Sequence, residues 1–150
     1  MVWGCFVKNR LGPLVILDGK VTGQVYRNLL QDHLLPFFDS LNDEIPYLFQ
    51  DDNAPVHWAA TTMRWKDENM ISCLPWPAQS PDLNPIEHVW DYLERKVRAR
   101  QRKPKNRDEL VTALQEEWNK IDTQYLENLV QSMPRRVKAV IENHGYPSKY

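Results

Sequence analysis

A chain of 150 residues with 42% hydrophobic and 26% charged residues, including six Trp and six Tyr, has the make-up of a folded globular protein and not of a disordered one. It contains no run of 18 apolar residues, and Met1 to Asn9 lacks the charged, apolar and small-residue order of a secretory signal; the expectation is a soluble intracellular protein of one globular domain with no membrane partner. The net charge of −1 hides an uneven distribution: Arg95, Lys96, Arg98, Arg100, Arg102, Lys103, Lys105 and Arg107 form a stretch without an acidic residue, leaving 11 basic and 20 acidic residues elsewhere. Lys and Arg do favour the last turn of a helix, but eight positive charges exceed what a helix dipole needs, and contact with a polyanion is the favoured reading.

In chain order, Met1–Lys8 and Pro13–Leu17 are apolar and rich in β-branched residues, and the turn-like Asn9–Pro13 between them predicts a hairpin. Thr22 is placed to cap a helix whose Val25, Tyr26, Leu29, Leu30, Leu34, Phe37 and Phe38 follow the spacing of one buried face, with Pro36 ending or kinking it. Tyr47–Gln50 predicts a short strand, His57–Asn69 a helix, and Ile71–Leu74 a strand stopped by Pro75 and Pro77. After a proline-rich loop, Asn84 starts the best-marked helix: Pro85 suits its first position, and Ile86, Val89, Trp90, Leu93 and Val97 form its apolar stripe. Two amphipathic helices follow the basic stretch, over Asp108–Ile121 and Tyr125–Asn143, with Pro134 breaking the second. The order of elements predicts an α/β layered domain with a helical C-terminal tail over about 108–150. Cys5 and Cys73 lie in strand-like runs with no Cys or His at metal-ligand spacing, and read as buried, reduced thiols.

Two motifs carry the chemistry. Phe49-Gln50-Asp51-Asp52-Asn53-Ala54-Pro55-Val56-His57 ends a strand, where open α/β sheets place ligands, and Ser80-Pro81-Asp82-Leu83-Asn84-Pro85-Ile86-Glu87 enters a helix. The 34 residues between Asp52 and Glu87 suffice for a helix and a strand that return the chain to its starting edge, so the two carboxylates can converge. Each also has a purely structural reading: Asn84 and Glu87 have the spacing of a capping box, and Asp51, Asp52 and Asn53 that of a turn. Those readings explain the residue types but not the pairing.

Together with Met1-Val2-Trp3-Gly4-Cys5-Phe6 and Ser132-Met133-Pro134-Arg135-Arg136, these motifs resemble the catalytic domain of Tc/mariner superfamily transposases over nearly the whole chain, 1–150. The resemblance implies a ribonuclease-H-like fold, a mixed sheet with flanking helices, and an Asp, Asp, Glu triad whose second and third members fall on Asp52 and Glu87. The 34-residue gap agrees with the spacing of the Tc branch; Asp51 stands where relatives often carry Gln and is a further candidate metal ligand. Two Mg2+ or Mn2+ ions held by hard oxygen ligands would serve DNA cleavage and strand transfer, the reactions of cut-and-paste transposition and DNA integration. His57 either lies near the scissile phosphate or serves structure alone.

The family's first catalytic Asp lies on a central strand preceding the one with which this chain opens, so that strand and ligand are expected to be missing and the isolated chain inactive. Asp18 is a poor substitute, the helix-turn-helix module of the family is expected to be missing as well, and Ser148-Lys149-Tyr150 reads as a natural end. The implied partners are transposon-end and target DNA, contacted by Arg95 to Arg107, with a homodimer in the full-length family and a nuclear location. A non-catalytic DNA-binding module and an inert remnant of a decayed element are the alternatives.

Overall fold

Branched and aromatic side chains favour the pleated backbone, and Val2–Val7 (β1) and Arg10–Ile16 (β2) pair antiparallel in the computed structural model, which describes residues 1–41, 46–77 and 80–145. Val7 faces Arg10, so the turn is Lys8-Asn9 and β2 begins three residues before the predicted Pro13. The reason is a bulge: Gly4 faces Leu14 and Phe6 faces Leu11, which sets Gly12 and Pro13 against the single residue Cys5. A bulge tolerates Pro13, which has no N–H to give the ladder.

The chain divides into two compact units, Met1 with Leu17–Gln79, and Val2–Ile16 with Ser80–Tyr150. In the first, Thr22 accepts a hydrogen bond from the Val25 N–H and starts α1 (Gly23–Leu29), which passes through a π-turn over Leu30–Leu34 into α2 (Leu35–Leu41). Pro36 does not end this run. Its missing N–H falls just after the wider π-turn, in which the Leu35 N–H already reaches back to the Leu30 carbonyl. Of the predicted face, Tyr26, Leu29, Leu30, Leu34 and Phe37 are buried and Val25 and Phe38 half-buried, and Leu41 is buried beyond it.

The predicted strands over Tyr47–Gln50 and Ile71–Leu74 reduce to one parallel bridge between Phe49 and Cys73. Pro46 before the first segment and Pro75 and Pro77 after the second cannot donate to a ladder, which shortens the pairing. The predicted helix over His57–Asn69 is two pieces, α3 (Pro55–Trp58) and α4 (Ala60–Glu68), parted where Ala59 turns to an extended ψ of 135°.

In the second unit, α5 (Pro85–Arg98), α6 (Arg107–Asn119) and α7 (Thr123–Glu142) close on the hairpin. Val89, Leu93, Trp118, Ile121, Leu126 and Leu129 form the buried cluster, with Phe6, Leu11 and Leu14 of the hairpin packed on it, so the predicted tail is part of a core. The Trp118 indole donates to the Gly12 carbonyl at 3.0 Å and stacks on Trp90. A Cβ on Gly4 would come within 2.9 Å of both tryptophan rings, so only glycine fits beneath them. Asn106 and Asp122 cap α6 and α7 through their side chains. Pro134 does not break α7, which runs through it to Glu142; the proline ring is exposed while the flanking Ser132 and Arg136 are buried and hydrogen-bonded to each other.

Both cysteines are free and half-buried, and burial pushes the Cys5 thiol up to about 12, so it stays protonated at neutral pH. No helix among the described residues is long and apolar enough to cross a membrane. The closing Ser148-Lys149-Tyr150 lies outside the described residues.

Candidate functional site

The first motif is built outward from Phe49, whose N–H donates to the Ser72 carbonyl at 2.8 Å and whose carbonyl accepts from the Leu74 N–H at 2.9 Å. Those two bonds fix the backbone directly before Asp51 and Asp52, and the two carboxylates then part company. Asp51 turns inward: its Oδ2 accepts from the Lys66 ammonium at 2.6 Å and from the Tyr26 hydroxyl at 2.9 Å, and its side chain is only 9% exposed. Lys66, 1% exposed, also donates to the His57 carbonyl and sits over the Tyr26 and Phe49 rings. Desolvating both charges is costly, and only the close pairing with further hydrogen bonds offsets it.

Asp52 approaches the same His57 nitrogen from the solvent side, with 57% of its side chain exposed. Its Oδ1 accepts from the Ala54 N–H at 2.9 Å and lies 2.7 Å from His57 Nδ1, while the His57 ring packs on Tyr26. The turn reading of Asp52 is therefore realised, and it leaves Oδ2 with no hydrogen bond among the described residues. Asn53 donates to the Trp76 carbonyl, tying the motif to the proline-rich loop. Between the two aspartates, Asp51 is buried against Lys66 and Tyr26, and Asp52 is the one open to a cation from solvent.

Glu87 is exposed in the first turn of α5, its N–H bonded to the Asn84 carbonyl at 3.1 Å. Asn84 has the backbone of an N-cap, but its side chain makes no cap hydrogen bond, so the capping box lacks one of its two halves. The residues thus bring Asp51, Asp52 and His57 together in the first unit, while Glu87 and the basic stretch belong to the second. Among the described residues no three His, Cys or acidic side chains assemble a complete metal cage. The donors present are carboxylate oxygens, the hard ligands that Mg2+ and Mn2+ favour.

The basic stretch is less bare than its sequence. Arg95 pairs with Asp91, Arg98 with Glu94, Arg102 with Glu109, and Arg100 with both Glu116 and Glu117. Lys96, Lys103 and Lys105 remain exposed, Lys96 resting on the Tyr92 ring, and Arg107 opens α6.

Sequence reasoning missed Lys66 and Tyr26. A lysine in a polar helix looks solvated; the available signal was Thr62 and Lys66 sharing a face four residues apart, both fully buried. Burial first, and then the Asp51 carboxylate, pushes the Tyr26 phenol far above its usual range. A phenol that ionises later when folded contributes stability that is whole below about pH 10 and lost as pH rises further. Urea midpoints are therefore expected to fall above pH 10, and to fall less steeply in Tyr26→Phe; equal slopes would contradict this.

A family model described as DDE superfamily endonuclease matches residues 4–111. All 150 residues align with the Tcb1 transposase of Caenorhabditis briggsae at 39% identity, covering 54% of that protein. The whole chain also aligns with the Tc1 transposase of Caenorhabditis elegans at 37% identity, again covering 54% of the relative. The chain thus spans about half the length of the curated relatives it matches. Among solved structures, the Mos1 transposase catalytic domain with raltegravir and Mg superposes with a TM-score of 0.86 at 18% identity, covering 99% of this chain and 75% of that one. A Mos1 transposase paired-end complex with the left transposon end gives 0.83 at 20% identity, covering 99% of this chain and 43% of that one. These similarities establish the mixed α/β fold of that catalytic domain.

Proposed function

The chain belongs to the DDE superfamily endonucleases, as a Tc/mariner transposase domain, and from that membership we propose that Asp52 and Glu87 are two of the carboxylates that hold divalent metal for DNA cleavage and strand transfer. The observation that carries the proposal is the contrast at Asp51-Asp52, where the first carboxylate is buried against Lys66 and Tyr26 and the second, braced by His57 and Ala54, is open to solvent. Bound Mg2+ or Mn2+ would stabilise the charge that develops on the attacking and leaving oxygens of a phosphodiester. Asp52 and Glu87 would hold it, Asp51 would keep its place in the fold, and His57 would fix the Asp52 carboxylate while standing near the phosphate. Mos1 catalytic domains solved with Mg and with Mn support the choice of ion.

DNA, both transposon ends and target, is the proposed partner, reached in the nucleus and by a homodimer of the full-length protein; Mos1 complexes with transposon-end DNA support that partner. The ion pairs that engage its arginines favour its exposed lysines as the phosphate contacts. Binding should weaken steeply with salt, and replacing Lys96, Lys103 and Lys105 by alanine should lower the slope of log K against log salt by up to about 3. Arg98→Ala, which frees Glu94, should change the slope by less than about 1. Equal effects would contradict the assignment. Titration of Mn2+ by Trp fluorescence, compared with Asp52→Ala and Glu87→Ala, tests the reading: binding lost in both variants supports it, and DNA affinity that survives both substitutions without any metal binding in the parent would favour a non-catalytic DNA-binding module.

A further inference from the structure

The closing Ser132-Met133-Pro134-Arg135-Arg136 motif has no part in the proposed metal chemistry, yet it reaches the start of the helix that bears Glu87. Arg136 is 5% exposed. Its guanidinium donates from Nε to Ser132 Oγ at 2.7 Å, and from Nη1 to the Asp82 carbonyl at 3.2 Å and to the His88 Nε2. Guanidinium only donates, so His88 Nε2 accepts and the imidazole is held as the tautomer with its proton on Nδ1. The Ser132 hydroxyl is itself oriented, since it donates to the Leu129 carbonyl at 2.6 Å and so presents a lone pair to Arg136. A second bond from α7, the Tyr125 hydroxyl to the His88 carbonyl at 3.0 Å, holds the same residue by its backbone.

We infer that Arg136 is a positioning residue for Glu87: by tying the Asp82 carbonyl and the His88 ring, which bracket Glu87 in the chain, to Ser132 of α7, it fixes the direction in which the first turn of α5 presents its carboxylate. The Asn84 side chain makes no cap hydrogen bond at this helix start, and Arg136 reaches the segment from α7. A planar fork with several fixed donors suits this task, and a lysine ammonium does not. The tie thus joins a loop, a helix start and a distant helix through a single side chain.

The inference rests on reading Glu87 as a metal ligand, and its test separates the two. Amide hydrogen exchange and Mn2+ affinity, by electron paramagnetic resonance, would be measured for the full chain, Arg136→Lys, Ser132→Ala and Glu87→Gln. Arg136→Lys should speed exchange at Leu83–Val89 about tenfold or more, leave α6 amides unchanged, and weaken Mn2+ binding by about tenfold. Ser132→Ala, the milder change, should show the same pattern at smaller amplitude and serves if Arg136→Lys does not fold. Exchange that rises evenly through the unit, or Mn2+ affinity unchanged in Arg136→Lys while lost in Glu87→Gln, would overturn the positioning role. Mn2+ affinity unchanged in Glu87→Gln would instead overturn the metal reading of Glu87, and the local exchange pattern alone would then decide whether Arg136 sets the helix start.

Discussion

Lys66→Met is expected to destabilise the protein by about 3–5 kcal/mol, lowering its thermal midpoint by roughly 10 °C. Methionine nearly matches the lysine stem in volume, so packing is preserved and the loss arises from Asp51, which keeps a buried charge while losing its 2.6 Å partner. The Tyr26 hydroxyl would remain as a donor, but a neutral bond does not offset the desolvation of a carboxylate. Asp51→Asn should cost a similar amount for the mirror reason, since it strands the Lys66 ammonium among the Tyr26 and Phe49 rings. The double substitution removes both charges and should recover most of the loss, giving a coupling energy of several kcal/mol in a double-mutant cycle. Additive costs in that cycle would show that the two groups do not stabilise each other. The pair matters to function through its neighbour: Asp51 fixes the backbone from which Asp52 projects.

What was legible in the sequence depended on whether the deciding interaction was local. The hairpin, the Thr22 cap and the start of α5 at Asn84-Pro85 follow from residues adjacent in the chain, and the structure has each of them. Pro13 and Pro134 misled because each was read as punctuation. One sits opposite Cys5 in a bulge, and the other is exposed on a helix whose buried face continues past it. The charge balance of the basic stretch was hidden for a similar reason: Arg100 finds Glu116 and Glu117 across the junction of α5 and α6, at a separation no window of local sequence connects. At the candidate site, the motifs point to Asp52 and Glu87, but they leave Asp51 as a further candidate ligand. The folded position of Lys66, fifteen residues on, marks Asp51 as the internal carboxylate and leaves Asp52 as the exposed one.

That distinction sets up the strongest functional prediction. Asp52→Asn and Glu87→Gln should each raise the Kd for Mn2+ by at least about 100-fold, because on the proposed reading each would remove an anionic oxygen ligand outright, a larger change than losing an outer-shell partner. Stability should stay within about 0.5 kcal/mol of the parent, since both side chains are exposed and the asparagine oxygen can still accept from the Ala54 N–H. Asp51→Asn should behave in the opposite way, losing stability first. The double variant decides whether the two carboxylates serve one centre. If both hold the same ion, either single change already abolishes the site, so the second adds little and the effects are strongly non-additive; if they act separately, their free energies sum. Titration of Mn2+ against the four proteins, followed by electron paramagnetic resonance, reads this directly, and additive losses would separate Asp52 from Glu87 even if each bound metal by itself.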